Sequence, residues 1–155
     1  ITNAQVRRIY SLGGFVYDSH DNGAKYVSRL KQLRETLGVT DASAVVPMGY
    51  GADTNGLANQ AGPRGADHPP VVYPFTLFQG PDWSDSRFAG IAPITFDKEV
   101  SGKRSFDINA EGLAHYGLIA DYVEEVRLEG GAQALNALYS SAEEYLQMWE
   151  RTVNR

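Results

Sequence analysis

Two polar stretches of the chain each follow a predicted strand and carry residues that could do chemistry. The first is Asp18–Asp21 (Asp-Ser-His-Asp), and the second is Gly49–Gly56, with Asp53 and Asn55 set among glycines. A carboxylate or an imidazole in such a place can bind a metal ion or move a proton. If the two strands are parallel, both stretches lie at one end of the sheet, the end that carries the active site in α/β barrels.

Each stretch also has a purely structural interpretation. Asp-x-Asn-Gly is a common turn, in which the Asp53 side chain would accept hydrogen bonds from its own backbone. Asp21 or Asn22 could cap the helix that follows the first strand. For Asp18 and His20 the site and the loop interpretations both stay open.

Outside these stretches the chemically suggestive residues are few. Arg64, in Gly-Pro-Arg-Gly, could clamp a carboxylate with two hydrogen bonds, and the alternative is a loop arginine in water. His68 and His115 make no His-x-His or His-x-x-x-His pair, which argues against a self-contained metal site. Neither a Gly-x-Ser-x-Gly elbow nor a phosphate-binding glycine loop occurs in the sequence.

Composition excludes several classes of function. The net charge of −5 disfavours nucleic acid and anionic lipid as partners, because both favour a basic surface. The absence of cysteine excludes disulfide scaffolds and thiol nucleophiles. No apolar run reaches the roughly 18 residues of a membrane span. Because the chain begins with Ile1 and lacks a signal-peptide pattern, we expect a processed chain or a piece of a longer one.

The elements that would position these residues alternate between helix and strand. The pattern predicts a helix over Thr2–Leu12, a strand over Phe15–Tyr17, a helix over Ala24–Leu37 ended by Gly38, and a strand over Ala44–Met48. A short run that is apolar on both faces suits a buried parallel strand. The alternation therefore predicts an α/β fold with a parallel sheet.

The rest of the chain is a long irregular stretch followed by helices. Residues 49–112 hold most of the glycines and prolines, together with many aromatic residues, which predicts an ordered excursion with one hairpin over Ile94–Ile108. Two apolar stripes, one over Leu118–Val126 and one over Leu135–Val153, predict helices.

The chain length fits a single domain, but two predicted strands cannot complete one. The mass of 17.0 kDa corresponds to ~25,000 Å² of surface when unfolded and ~7,700 Å² when compactly folded. A parallel sheet needs helices on both faces and usually several more strands. We therefore expect residues 1–155 to be a fragment of a larger α/β domain, with residues 65–109 forming an insertion.

The order of these features resembles the C-terminal part of the membrane dipeptidase (renal dipeptidase) group of metal-dependent amidohydrolases. That family ends its barrel with a Gly-Gly strand, a helix, and a last strand leading into Gly-x-Gly-x-Asp-Phe-Asp-Gly. The corresponding stretches here are Gly13–Tyr17, Tyr26–Leu37 and Gly49–Gly56, and two helices follow in both. Thr54 and Asn55 depart from the family's aromatic residue and second acid, and a tyrosine is usual near His20.

The resemblance implies the C-terminal portion of a TIM-type (β/α)₈ barrel with a long irregular insertion. It implies a zinc-dependent hydrolase of amide or peptide bonds in which Asp53 is the catalytic acid that handles the proton of the attacking water. In this interpretation Asp18, His20, Asn55 and Arg64 would line the substrate pocket and contact the substrate. The family's zinc ligands come from earlier strands, so a separate chain carrying the N-terminal portion of the barrel would supply them.

A non-catalytic function is the alternative. The aromatic loop Val71–Phe88 could bind a protein or a glycan, since exposed aromatic residues of that density mark contact surfaces. The same aromatic residues could instead pack the insertion onto the rest of the fold.

Overall fold

The computed structural model describes residues 1–19, 21–52 and 60–154. The chain contains five α-helices and six short strands within these ranges. The helices are α1 (Asn3–Ser11), α2 (Gly23–Leu37), α3 (Ile108–Glu111), α4 (Ile119–Tyr139) and α5 (Ser141–Val153). The strands are β1 (Tyr17–Ser19), β2 (Gly49–Gly51), β3 (Phe75–Leu77), β4 (Ile94–Phe96), β5 (Val100–Ser101) and β6 (Arg104–Ser105).

The first two helices begin and end where their capping residues predict. Thr2 and Gln5 form a reciprocal capping box at the start of α1. The Asn22 side chain accepts a hydrogen bond from the Lys25 amide at 3.1 Å, so the capping interpretation holds for Asn22. Gly38 ends α2 in the left-handed conformation, with a φ of 70°.

The predicted order helix, strand, helix, strand is confirmed, and β1 and β2 are parallel. Tyr17 pairs with Gly49 and Ser19 with Gly51. The predicted strand positions were wrong by several residues, since β1 shares only Tyr17 with the predicted strand and β2 begins just after Met48. The run before β2 is held instead by hydrogen bonds from α1 and α2, in which the Tyr10 hydroxyl donates to Pro47 O at 2.7 Å and that of Tyr26 to Met48 O at 2.8 Å.

The two faces of the β1–β2 sheet differ. On one face Tyr50 stacks on Tyr122 of α4 with ring centroids 4.1 Å apart, and Tyr26 of α2 packs edge-on against both rings. On the other face the Tyr17 side chain lies over Gly49 and Gly51 and is 71% exposed. Parallel sheets are normally covered on both faces, but no helix or strand of the described residues is seen to pack over the Tyr17 side of this sheet.

The irregular stretch is ordered by two small antiparallel sheets and an aromatic cluster. β3 pairs with β4, and β5 pairs with β6. The predicted hairpin is therefore confined to residues 100–105, because Ile94–Phe96 pairs with β3 instead and Ile108 begins α3. The described strands thus form three two-stranded sheets, none of them closed, and the barrel stays a prediction.

The C-terminal helices are divided differently from the prediction. α4 spans Ile119–Tyr139, but Gly131 has a non-helical conformation with a φ of 54°, so two helical segments meet at a kink beside the Gly130-Gly131 pair that was expected to end the first stripe. The second apolar stripe is split at Ser140, so that Leu135 belongs to α4 and is buried, whereas no residue of α5 is buried. Within the described residues, no helix is long and apolar enough to cross a membrane.

Candidate functional site

The carboxyl ends of β1 and β2 lie side by side, as the parallel pairing requires. Ser19 at the end of β1 pairs with Gly51 at the end of β2. The predicted site residues His20, Asp53 and Asn55 follow these ends in sequence and lie outside the described residues. The described parts of the two predicted stretches, residues 18–19 and 49–51, therefore lie side by side at one end of the sheet.

Asp18 faces α2 and is buried against it. Its Oδ1 lies 2.9 Å from Nε of Arg29, and only 5% of the residue is exposed. The same guanidinium contacts Asp21, with 2.7 Å between Nη2 and Oδ2, and Lys25 lies 3.0 Å from the other Asp21 oxygen. Burial opposes the charge of Asp21, but the hydrogen bonds from Lys25 and Arg29 outweigh it and lower the pKa of that carboxyl below its usual range. Arg29 thus joins both acids into one ion-pair network.

Arg64 is an interior residue, so the interpretation as a loop arginine in water was wrong. Its side chain is 3% exposed. Nε lies 3.0 Å from Oε1 of Glu125, and Nη1 lies 2.6 Å from Oε1 of Glu129. Nη2 donates to the Pro69 carbonyl at 2.6 Å. The guanidinium therefore ties the loop around it to two successive turns of α4.

Glu125 is the residue of this cluster that sequence reasoning missed. Its second oxygen accepts a hydrogen bond from the Gly23 amide at 2.9 Å. Burial raises the pKa of Glu125, and the hydrogen bond from Gly23 and the charge of Arg64 offset this only in part. One sequence signal was available, because Glu125 lies three residues after Tyr122 on the apolar stripe of its helix, a position where an acid needs a buried partner.

Glycine is required at position 23 because α2 and α4 touch there. A Cβ at Gly23 would lie 2.5 Å from Cβ of Glu125 and 2.8 Å from the Val126 amide nitrogen. The close approach lets the first amide of α2 reach the Glu125 carboxylate. Glu125 therefore joins the start of α2, which follows the first predicted stretch, to the Arg64 cluster.

A pocket of about 330 Å³ opens beside this cluster. Its polar lining comes from Arg64, His68, Asn109 and Glu125, and prolines and small residues form the remainder. Nδ1 of His68 lies 2.9 Å from Oε1 of Glu129, so the imidazole belongs to the same network. The pocket combines apolar walls with a few convergent polar groups, which is typical of small-molecule sites.

The described residues do not fit a zinc site by themselves. In residues 1–19, 21–52 and 60–154, no group of three or more His, Cys, Asp or Glu side chains is placed to hold a metal ion. His115 stacks on Phe106 with ring centroids 5.0 Å apart, and its Nδ1 accepts a hydrogen bond from the Gly117 amide at 3.0 Å. The zinc that the resemblance implies would therefore need ligands from other residues.

The aromatic loop Val71–Phe88 packs inward. Phe78, Trp83 and Phe88 form one cluster with Tyr139 of α4, with ring centroids between 4.6 and 6.4 Å apart. Trp83 and Phe88 are buried. These side chains attach the loop to α4, as the packing interpretation predicts, and leave little aromatic surface there for a protein or glycan partner.

In comparisons with known proteins, no family model, no curated protein and no solved structure matches this chain.

Proposed function

We propose that this chain is part of a metal-dependent hydrolase that cleaves amide or peptide bonds, and that it supplies the catalytic acid Asp53 and part of the substrate pocket. The observation that supports this is the parallel register of β1 and β2, from Tyr17–Gly49 to Ser19–Gly51. If these strands belong to an α/β barrel, their carboxyl ends lie at the end of the sheet that carries the catalytic groups, and the chain runs on from these ends to His20, Asp53 and Asn55.

In this proposal Asp53 accepts the proton of the attacking water and returns it to the leaving amine, the usual work of a positioned carboxylate. His20 and Asn55 would contact the substrate from the same edge. Asp18 would act through Arg29, the residue with which its carboxylate pairs at 2.9 Å. Arg64 would contribute through the pocket that it lines with His68, Asn109 and Glu125.

Zinc and a second polypeptide complete the proposed enzyme. Because the described residues do not fit a zinc site by themselves, the ligands would come from the N-terminal portion of the barrel, carried by a separate chain. In a closed barrel, the Tyr17 face of the β1–β2 sheet, on which Tyr17 is 71% exposed, would face the interior and be covered by the strands of that portion.

The decisive variant is Asp53→Asn, which removes the ionisable group and keeps its shape. In the native assembly, tested with a panel of dipeptides and N-acyl amino acids at pH 7, we expect kcat to fall by at least about 100-fold. Circular dichroism and the urea midpoint should stay unchanged. The matched control is Asp97→Asn, an isosteric change at an exposed loop residue, which should keep full activity. An Asp53→Asn assembly with wild-type turnover would show that Asp53 is not the proton shuttle.

A further inference from the structure

The pocket beside Arg64 is lined mainly by groups that accept hydrogen bonds. Three of its lining residues are prolines, which have backbone carbonyls but no backbone N–H groups. Glu125 adds a carboxylate whose two oxygens contact one donor each, Nε of Arg64 and the Gly23 amide. Because a carboxylate oxygen can accept more than one hydrogen bond, Glu125 keeps acceptor capacity for a ligand. We call this cavity the Arg64 pocket.

The donors of Arg64 are already engaged by the protein. Nε and Nη1 contact the carboxylates of Glu125 and Glu129, and Nη2 donates to the Pro69 carbonyl. Among the described residues that line the pocket, Arg64 is the only one with a permanently cationic side chain. An anionic ligand would therefore meet no guanidinium nitrogen that lacks an acceptor.

His68 presents a further acceptor. Its Nδ1 lies 2.9 Å from Oε1 of Glu129. Since a carboxylate can only accept, Nδ1 carries the hydrogen, and Nε2 of the neutral ring has a free lone pair. No hydrogen bond from the described residues reaches Nε2, and the side chain, which lines the pocket, is 35% exposed. Glu129 thus fixes the ring in the form that can accept a hydrogen bond from a ligand.

The charges of the cluster do not balance. Glu125 and Glu129 contribute two carboxylates against the single guanidinium of Arg64, which leaves one negative charge in excess while the imidazole is neutral. The side chains of Arg64 and Glu125 are 3% and 2% exposed, so water screens this charge weakly. A cationic ligand would neutralise it, whereas an anionic ligand would be repelled.

We infer that the Arg64 pocket binds a small molecule that carries a protonated amine on an apolar body. The ammonium group donates to Nε2 of His68 and to Glu125, and the apolar body packs on the proline walls. The volume of about 330 Å³ lies within the range of small-molecule sites, roughly 300–1,000 Å³. The role of such an amine as part of a hydrolase substrate rests on the proposed function, but the preference of the pocket for a cation does not.

Three probes of similar shape test this preference: benzylamine, benzyl alcohol and benzoate. Each is titrated into the isotope-labelled protein in its native assembly at about pH 8, where an ordinary imidazole is neutral. The backbone amide resonances of Gly65, Ala66 and His68 report on the pocket. Benzylamine should shift them saturably, and benzyl alcohol and benzoate should bind at least about tenfold more weakly, because neither can donate a charged hydrogen bond.

A pair of histidine variants locates the binding. His68→Leu removes the acceptor and should weaken benzylamine at least about tenfold while leaving the weak affinity for benzyl alcohol unchanged. His115→Leu is the matched control, because His115 stacks on Phe106 and is not among the described residues that line the pocket. It should leave the affinity for both probes unchanged.

Glu129→Gln separates the effect of charge from that of shape. The variant keeps the size of the side chain and removes the excess negative charge. The ratio of the affinity for benzylamine to that for benzyl alcohol should therefore fall several-fold. A role of Glu129 in shaping the pocket alone would weaken both probes equally and leave this ratio unchanged.

Three results would overturn the inference: no saturable binding of benzylamine or butylamine, equal affinity for benzylamine and either of the other two probes, or unchanged benzylamine affinity in His68→Leu. Amine binding by an assembly that hydrolyses no amide would keep the inference and reject the proposed function. Hydrolysis without amine binding would do the reverse.

Discussion

The Arg64 guanidinium lies 3.0 Å from the Glu125 carboxylate, and both side chains are almost completely removed from water. The other Glu125 oxygen binds the first amide of α2, at Gly23. One carboxylate thus connects α2, α4 and the loop that follows the predicted acid Asp53. A buried ion pair adds little net stability compared with apolar residues, but each partner depends strongly on the other.

Arg64→Met is therefore expected to lower the free energy of unfolding by about 3–5 kcal/mol, because it leaves the Glu125 and Glu129 carboxylates buried without their cation. Equilibrium unfolding in urea measures this loss. The matched control is Arg104→Met, which removes an exposed guanidinium paired with Glu111 and should cost about 0–1 kcal/mol. Equal losses in the two variants would contradict the assigned role of Arg64.

The first two helices could be predicted closely because their signals are local. Thr2, Asn22 and Gly38 mark helix ends through hydrogen bonds and backbone angles that involve only neighbouring residues. The strands could not be placed as well, since Tyr17–Ser19 is not an apolar run. These residues become a strand because β2 pairs with them, and that partner is 32 residues away in the register Tyr17–Gly49.

The candidate site, too, could be predicted only in part. The parallel arrangement follows from the alternation of elements, so the side-by-side carboxyl ends of β1 and β2 were predictable. The partners of the charged side chains were not. Arg64 and Glu125 are 61 residues apart, and neither residue type indicates the other in a single sequence. The Asp18–Arg29 pair similarly depends on how α2 packs against β1.

Gly49 and Gly51 allow a second prediction, because both lie beneath Tyr17 but at different distances. A Cβ at Gly49 would lie 2.9 Å from Cβ of Tyr17 and 3.0 Å from Cε2 of Phe15, whereas a Cβ at Gly51 would keep 3.6 Å from the Tyr17 ring. Gly49→Ala should therefore cost about 1–3 kcal/mol of unfolding free energy through overpacking. Gly51→Ala should change it by no more than about 0.5 kcal/mol. Urea unfolding measures both free energies. If Gly49→Ala lost no more stability than Gly51→Ala, the Tyr17 side chain would be able to move away from the added methyl group without cost.

Asp121 predicts a pH dependence of stability. The Tyr73 hydroxyl donates to its carboxylate, and burial, only partly offset by this bond, raises the pKa of Asp121. Just above the usual pKa of Asp, about 4, the folded chain keeps a proton that the unfolded chain has lost. The contribution of Asp121 to the free energy of unfolding therefore falls as pH rises through that window. Asp121→Asn abolishes this contribution, so the variant should gain stability relative to wild type as pH rises from about 4.

Asp85 provides a control of opposite sign for that measurement. Hydrogen bonds from the Arg87 side chain and backbone lower the pKa of Asp85 to about 2. Its stabilising contribution is present above the usual pKa of Asp and is lost as pH falls towards about 2. As pH rises, the urea midpoint relative to wild type should thus fall between about 2 and 4 for Asp85→Asn and rise above about 4 for Asp121→Asn. Parallel curves for the two variants would contradict the assigned environments.

The aromatic cluster supports a final prediction, which separates packing from binding in the loop Val71–Phe88. Trp83 is buried against Phe78, Phe88 and Tyr139, so Trp83→Ala leaves a large cavity and should lower the free energy of unfolding by about 3–5 kcal/mol. Val72→Ala is the control, because Val72 is an exposed apolar residue of the same loop and its truncation should change the free energy of unfolding by no more than about 0.5 kcal/mol. An unchanged urea midpoint for Trp83→Ala would show that the aromatic residues do not anchor the loop to α4. It would favour the alternative that they bind a protein or a glycan.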